Sequence, residues 1–248
     1  MPEGHTLFRL AAEQTELFAG RPVHVTSPQG RFDGGAAAID GRVLDEVTSY
    51  GKHLFARFGG DVVHVHLGLY GTYTTGTGTP PPARGALRMR WEGQGADGDG
   101  VWTDLRGATV CELLTDHEVG MILARLGPDP LRRRADPGKA HARIARSRTP
   151  IGALLMDQEV LAGVGNVYRA EILFRHRLNP FRLGKDVDAD LWARMWADLV
   201  KLMRAGVKEG RIVILRKGRP VDPDDFRGVY RLALPPASDE GAGNNASV

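Results

Sequence analysis

The chain has 248 residues, of which 42% are hydrophobic and 25% charged, as in a globular protein with one large or two small domains. Its single cysteine, Cys111, excludes an internal disulfide and a cysteine-rich zinc finger. No stretch approaches the ~20 apolar residues of a membrane span, and the N-terminus does not resemble a signal peptide. We therefore expect a cytoplasmic protein with no membrane contact.

The basic residues favour arginine and are unevenly placed. Net charge is only +3, yet 27 of the 33 basic residues are arginine, whose planar fork of donors matches phosphate. Genomic base composition explains this excess equally well. Between Arg132 and Arg148, however, seven basic residues face one acid, Asp136. A solvated helix face usually mixes signs, so this run favours a nucleic-acid surface.

The first half of the chain has a strand-like pattern after one helix. Residues 3–19 carry an apolar stripe that predicts a helix ending at Gly20. Residues 74–82 and 93–100 are rich in Gly and predict loops. The strands are predicted at Pro22–Thr26, Arg42–Ser49, His53–Phe58, Val62–Leu67, Ala86–Trp91 and Ala108–Leu113. We expect a β-sandwich domain over residues 1–115.

The second half has a helical pattern. Helices are predicted at Asp116–Arg125, Gly138–Arg146, Pro150–Asp157, Asn166–His176 and Asp188–Lys208. Residues 235–248 are small, polar and Gly-rich, and this composition predicts disorder. The expected organisation is α+β: the sandwich, a helical domain over residues 116–231 and a tail over residues 232–248.

The N-terminal residues Pro2 and Glu3 could carry covalent chemistry. Initiator methionine is usually removed before a small residue, and removal here would expose a secondary amine. An α-amino group titrates near pH 8, so part of it is neutral and nucleophilic at pH 7. Attack on a sugar carbon forms a cationic iminium, an electron sink for elimination, and Glu3 could shuttle protons. Many proteins begin with Met-Pro for no catalytic reason, so Pro2 alone does not decide.

Three short features lie in the strand-rich half. Lys52 follows the turn residue Gly51, where it could aim its ammonium at a phosphate or be an ordinary exposed strand lysine. His64 and His66 share one strand face, but no carboxylate or cysteine nearby in sequence completes a metal site, which favours structural histidines. Leu69 and Tyr70, between two glycines, form either a packed hairpin tip or a wedge that enters a base stack.

The segment Ile151–Leu173 predicts a short helix, a Gly-punctuated double turn and a second helix. Gly163 and Gly165 allow close backbone approach, and Asn166 is predicted as the N-cap of the second helix. A helix N-terminus with exposed amides and an Asn side chain is suited to phosphate. The alternative is an ordinary helical hairpin with an Asn cap.

Together these motifs resemble the Fpg/Nei family, the formamidopyrimidine-DNA glycosylases and endonucleases VIII. The similar segments are Pro2-Glu3-Gly4, Gly51-Lys52-His53-Leu54, Arg125–Leu131 and the helix–two-turns–helix, in the family's order. The resemblance implies a bifunctional DNA glycosylase and abasic-site lyase of base excision repair, acting as a monomer on damaged double-stranded DNA without a cofactor.

The same resemblance implies roles for individual residues. Pro2 is the implied nucleophile, Glu3 the general acid/base, and Lys52 a phosphate contact near the lesion. Asn166 grips the DNA backbone, and Arg106 is a further DNA-binding candidate. It lies in the segment Thr103–Ala108, which lacks the Phe wedge that the Fpg branch draws from a later loop. Leu69 and Tyr70 match the wedge of the endonuclease VIII branch, which fills the gap left by a flipped nucleotide. The Pro2-Glu3-Gly4 opening and this wedge are nearer to the endonuclease VIII branch, which prefers oxidised pyrimidines.

The chain departs from the family pattern near its C-terminus. Gly228–Arg231 resembles the approach to the family's Cys₄ zinc finger, but no cysteine follows Cys111. Only 17 residues follow Arg231, too few for a replacement hairpin of similar size. We therefore expect no zinc and no finger. The chain is then either a natural short form or a truncated or frame-shifted one, and the alternative function is a damaged-DNA-binding protein with weak or lost catalysis.

Overall fold

The computed structural model describes residues 2–95, 98–209, 213–216, 219–221 and 231–233. The first half begins with α1 (Gly4–Phe18) and contains the short helix α2 (Asp33–Ile39), which the sequence did not predict. Its strands are β1 (His24–Thr26), β2 (Glu46–Tyr50), β3 (His53–Phe58), β4 (Asp61–His66), β5 (Thr72–Thr77), β6 (Leu87–Gln94), β7 (Gly100–Arg106) and β8 (Val110–Thr115).

These strands form two antiparallel sheets of four, in the orders β1-β6-β7-β5 and β2-β3-β4-β8. Alternate residues of β3 and β4, such as Leu54 and Val65, are fully buried in a shared apolar core. The rings of Phe18 and Phe58 both meet Trp91 edge-on at 5.8 Å in this core. The predicted sandwich with an N-terminal helix is confirmed.

Part of the loop prediction is wrong, because β5 occupies residues 72–77 of a segment too polar and Gly-rich to be recognised as a strand. This strand is stabilised by pairing with β7, and a Cβ on Gly76 would lie 2.5 Å from the Trp102 ring. Only glycine lets that indole lie against the strand. The β7 strand, also not predicted, carries Asp104, which forms a buried ion pair with Arg90.

The second half consists of α3 (Asp116–Arg125), α4 (Pro137–Ile144), α5 (Ile151–Leu154), α6 (Asn166–Arg175) and α7 (Ala189–Glu209). Thr115 and Glu118 form a reciprocal capping box that starts α3 at its predicted residue. The α5 helix ends at Leu154, three residues before its predicted end. These helices share a second apolar core, which includes Tyr168, Ile172, Trp192, Met195, Leu199 and Met203.

The N-terminus lies at the junction of the two halves because α1 packs against both β2 and α7. His5 on α1 meets Tyr168 of α6 edge-on at 5.3 Å, and a Cβ on Gly206 of α7 would lie 2.5 Å from the Tyr168 hydroxyl. This close packing places the first residues of the chain beside the start of α6.

A third antiparallel sheet, in the order β10-β9-β11, follows α7. It pairs β9 (Val213–Arg216) with β10 (Arg219–Val221) and β11 (Arg231–Ala233). The sequence did not predict these strands, and the predicted tail over 232–248 is wrong at its first two residues, which belong to β11. This sheet begins at Val213, so it does not depend on the number of residues that follow Arg231. The disorder predicted for residues 235–248 lies outside the described residues. Within the described ranges, no helix is both long and apolar enough to cross a membrane.

Candidate active site

Pro2 lies in a cavity of about 350 Å³ that both halves of the chain line. The sandwich contributes Lys52, His66 and Leu69, and the helical half contributes Met156 and Gln158. The backbone N–H of Gly4 donates to the Gly163 carbonyl at 2.8 Å. A Cβ on Gly4 would lie only 3.0 Å from Gly163 Cα, so the absence of a side chain lets the N-terminus approach the double turn.

The Glu3 carboxylate caps helix α6 from 162 residues away in the chain, and Glu3 is 1% exposed. Its Oε2 accepts from the Gly165 N–H at 2.9 Å, and its Oε1 accepts from the Val167 N–H at 2.7 Å. A Cβ on Gly165 would come within 2.5 Å of the Glu3 carboxyl carbon, so only glycine fits there. The positive end of the helix dipole also favours this carboxylate.

Burial dominates the acid–base properties of Glu3 and Lys52. Removal from water raises the pKa of Glu3, although three backbone N–H groups and the nearby Lys52 act in the opposite direction. Burial lowers the pKa of Lys52, while the Glu3 charge partly offsets that change. A carboxyl group with a raised pKa is a better proton donor near neutral pH, which suits Glu3 to general acid–base chemistry.

Asn166 is the first residue of α6 and not its N-cap, so that prediction is wrong. The N-cap is Gly165, and the amides of this terminus are satisfied by Glu3. The Asn166 side-chain oxygen accepts a hydrogen bond from the Arg169 guanidinium. The local sequence could not reveal this arrangement because the capping carboxylate comes from the other end of the chain.

The turn that carries Lys52 is docked against the helical half through Gly51. Gly51 has φ +57°, and a Cβ there would lie 3.1 Å from the Gly163 backbone nitrogen. Its N–H donates to Asp129 Oδ2 at 2.9 Å, and Asp129 is 2% exposed. The structure thus brings Pro2, Glu3 and Lys52 together at one junction.

Leu69 and Tyr70 protrude from the loop between β4 and β5, with exposed fractions of 59% and 85%. The loop is tightly closed, since Gly68 has φ +70° and the Gly71 N–H donates to the Leu67 carbonyl at 3.0 Å. A packed hairpin tip would bury these side chains. Their exposure therefore fits the wedge interpretation better than the packing one.

Comparison with known proteins shows the family to which the chain belongs. Residues 1–111 match the family model of the formamidopyrimidine-DNA glycosylase N-terminal domain, and residues 126–217 match that of the formamidopyrimidine-DNA glycosylase H2TH domain. The chain is 54% identical over 222 residues to "Endonuclease 8 1" of Mycobacterium tuberculosis, covering 87% of this chain and 81% of that protein. The chain belongs to the Fpg/Nei family. It is nearer to the endonuclease VIII branch.

Two further comparisons extend this result. The chain is 36% identical to "DNA-(apurinic or apyrimidinic site) lyase Nei2" of Mycolicibacterium smegmatis, over 70% of this chain and 66% of that protein. Its fold is similar to Lactococcus lactis formamidopyrimidine-DNA glycosylase bound to DNA with an abasic site. That match has a TM-score of 0.71 and 19% identity, and it covers 84% of this chain and 81% of that one.

Arg106 does not line the Pro2 cavity as the structure describes it. Its guanidinium donates to Asp104 Oδ2 at 2.9 Å and to the Arg84 carbonyl. The next residue, Gly107, lies close to the Leu69-Tyr70 loop, since a Cβ there would be 3.1 Å from the Tyr70 carbonyl oxygen. Arg106 is thus near that loop and anchored to the sheet.

Three residues at the junction were not identified from the sequence as site residues. Asp129 holds the Lys52 turn, and His66 lines the cavity beside Lys52. Gln158 orders the double turn, because its Oε1 accepts from the Gly163 N–H and its Nε2 donates to the Val164 carbonyl, both at 2.9 Å. Asp129 and Gln158 do stand inside the motifs that carry the family resemblance, which is the signal that could have found them. Among the residues described, no three His, Cys, Asp or Glu side chains are arranged so that they could hold a metal ion.

Proposed function

We propose that this chain is a bifunctional DNA glycosylase and abasic-site lyase of base excision repair, and that the amine of Pro2 is its nucleophile. The observation that carries the proposal is the placement of Pro2 and Lys52 on one cavity, directly beside the buried carboxylate of Glu3. Binding of DNA alone would not require a buried carboxyl group with a raised pKa next to a terminal amine.

The proposed reaction begins once removal of Met1 frees the Pro2 amine. The amine attacks C1′ of the damaged nucleotide, and the base departs with a proton. Opening of the sugar ring, with proton transfer by Glu3, converts the adduct into a cationic iminium, a protonated Schiff base. The iminium accepts the electron pair released by loss of a C2′ proton, and the 3′ phosphate leaves. Hydrolysis then frees Pro2 for another turnover.

The surrounding residues are assigned to DNA binding. In this proposal Lys52 and Asn166 contact phosphates, and Leu69 and Tyr70 fill the space of the flipped nucleotide. Arg106, in the strand next to the Leu69-Tyr70 loop, is also proposed to contact DNA. The exposed basic residues of the run predicted to bind nucleic acid add attraction to the DNA backbone; they are Arg133, Arg134, Lys139, Arg143, Arg146 and Arg148.

The proposal includes a substrate preference and a setting. Oxidised pyrimidines are the proposed lesions, because the exposed Leu69-Tyr70 pair matches the wedge of the endonuclease VIII branch. We further propose that the protein acts as a monomer on damaged double-stranded DNA in the cytoplasm, at the nucleoid.

Duplex oligonucleotides with a single thymine glycol, 8-oxoguanine or abasic site test the proposal. We expect cleavage at the abasic site and faster excision of thymine glycol than of 8-oxoguanine. A mobility shift without strand cleavage on any substrate would instead identify a damaged-DNA-binding protein. Preferred excision of 8-oxoguanine would contradict the proposed lesion class while leaving the chemistry intact.

The role of Asn166 is testable by Asn166→Ala. We expect affinity for abasic-site DNA to fall about five- to tenfold, by a similar factor in every sequence context, because phosphate contacts position the protein without reading bases. The melting temperature should change little, because Gly165 and Glu3 form the cap. Fluorescence anisotropy on three duplexes of different flanking sequence measures the effect, with Asn179→Ala as the control. A loss confined to one sequence context would contradict this role.

A further inference from the structure

A line of polar side chains crosses the outer face of the sheet β2-β3-β4-β8. The strand register places His53 opposite His66, Phe55 opposite His64, and His64 opposite Glu112. Alternation along the strands puts all five side chains on the face turned away from the sandwich core. His64 is 5% exposed at its side chain, whereas the Glu112 side chain is 49% exposed. The line therefore runs from the protein surface into a buried region.

Two hydrogen bonds in series join this line. His64 Nδ1 lies 2.9 Å from Glu112 Oε1, and His64 Nε2 lies 2.9 Å from His53 Nδ1. A carboxylate only accepts, so a neutral His64 ring must carry its proton on Nδ1. Its Nε2 then accepts, and His53 must carry its own proton on Nδ1. Glu112 thus sets the tautomer of two histidines, as an outer carboxylate does for a metal-bound imidazole.

The inner end of the line meets the wall of the Pro2 cavity. His53 directly follows Lys52 in sequence, and its ring lies 5.1 Å from the ring of His66. Both Lys52 and His66 line the cavity. On the other side, the His53 and Phe55 rings stack against His64, each at 5.1 Å. The His53 ring is therefore fixed on one side by His64 and supports the cavity wall on the other.

Burial and neighbouring charges keep the His53 ring neutral. Burial, followed by the charges of His64, His66 and Arg125, lowers the pKa of His53 to about 3. The pKa of His66 is lowered by burial and then by His64 and Lys52. A neutral His53 adds no charge behind Lys52, and its ring remains in the single tautomer that Glu112 imposes at neutral pH.

We propose that Glu112, His64 and His53 form a positioning relay: Glu112 and His64 fix the orientation of the His53 ring, which holds Lys52 and His66 in place to receive a DNA phosphate. The inference rests on the proposed function and names three residues that contribute to it without touching substrate. An apolar side chain at each position would fill the same space on this face of the sheet, against which α3 packs. The relay differs from such filling because it specifies one direction of hydrogen bonding and one ring orientation.

Glu112→Leu tests the relay because it removes the acceptor at the exposed end, far from the reacting atoms. We expect the dissociation constant for a duplex with a tetrahydrofuran abasic analogue to rise about three- to tenfold, the effect of one lost hydrogen bond. KM for abasic-site cleavage should rise by a similar factor, with kcat within about twofold of the original. Glu112→Gln, which keeps an oxygen acceptor, should restore most of the affinity.

Imidazole ¹⁵N spectra supply a readout that a purely structural role would not change. We expect His53 to carry its proton on Nδ1 in the unmodified protein and to populate both tautomers in Glu112→Leu. The control is Glu46→Leu, at an exposed position of β2, which should change neither the spectra nor the binding. His64→Phe, which retains a ring in the stack, replaces Glu112→Leu if that variant does not fold.

The inference is overturned if His53 keeps one tautomer in Glu112→Leu, or if the tautomer changes and the affinity does not. A fall in kcat at constant KM would also contradict it. Failure of the proposed function is separable: the unmodified protein would then not cleave abasic DNA, while the spectra and the binding constants would still test the relay.

Discussion

Pro2→Gly should reduce borohydride trapping of a protein–DNA adduct by about tenfold or more on abasic-site DNA. A secondary amine gives an iminium that is permanently cationic, whereas the primary amine of glycine gives an imine that must be protonated to serve as an electron sink. Glycine also loses the fixed φ of the pyrrolidine ring and hence the orientation of the nucleophile. Trapping is measured by gel electrophoresis of labelled DNA, and mass spectrometry of the digested adduct identifies the attached residue.

The matched control for this experiment is Pro82→Gly, at an exposed loop position distant in sequence from the cavity residues. It should trap as the unmodified protein does. Attachment of the DNA to a lysine, together with normal trapping by Pro2→Gly, would overturn the assignment of the nucleophile. Lys52 is the lysine to examine first because it lines the same cavity.

Glu3→Gln should separate the two halves of the reaction. We expect excision of thymine glycol to fall about 10²- to 10³-fold, because departure of the base needs a proton donor. Cleavage of a preformed abasic site should fall about tenfold or less, since no base has to leave. Burial raises the pKa of Glu3, so the protonated donor persists to higher pH than for an ordinary carboxyl group. In the unmodified protein, excision should therefore decline only as pH rises above the usual carboxyl range.

Single-turnover rates on both substrates, measured across pH, provide this comparison. Glutamine cannot reproduce both acceptor oxygens toward Gly165 and Val167, so thermal unfolding of the variant must be recorded alongside. Glu16→Gln, at an exposed position of α1, is the control for removal of a carboxylate. Equal losses on both substrates in a folded variant would contradict a proton-transfer role specific to base release.

The sequence by itself predicted α1, six of the eight strands of the two larger sheets and the five helices of the second half, and it supplied the candidate site residues. The apolar stripe of α1, the strand pattern of β3 and β4, and the capping box at Thr115 are local signals, and each element formed where its residues favoured it. Pro2, Glu3 and Lys52 were identified because their motifs resemble one family. Such features depend on neighbouring residues or on a recognised pattern, and both are visible in a linear chain.

Only the tertiary structure decided how distant segments complete one another. The cap of α6 comes from Glu3, so the N-cap predicted at Asn166 was wrong although the helix itself was predicted correctly. Likewise, β5 is a strand because β7 pairs with it and not because of its own composition. The physical reason is the same in both cases. A buried N–H group must find an acceptor, and that acceptor can come from any part of the chain that folding brings close.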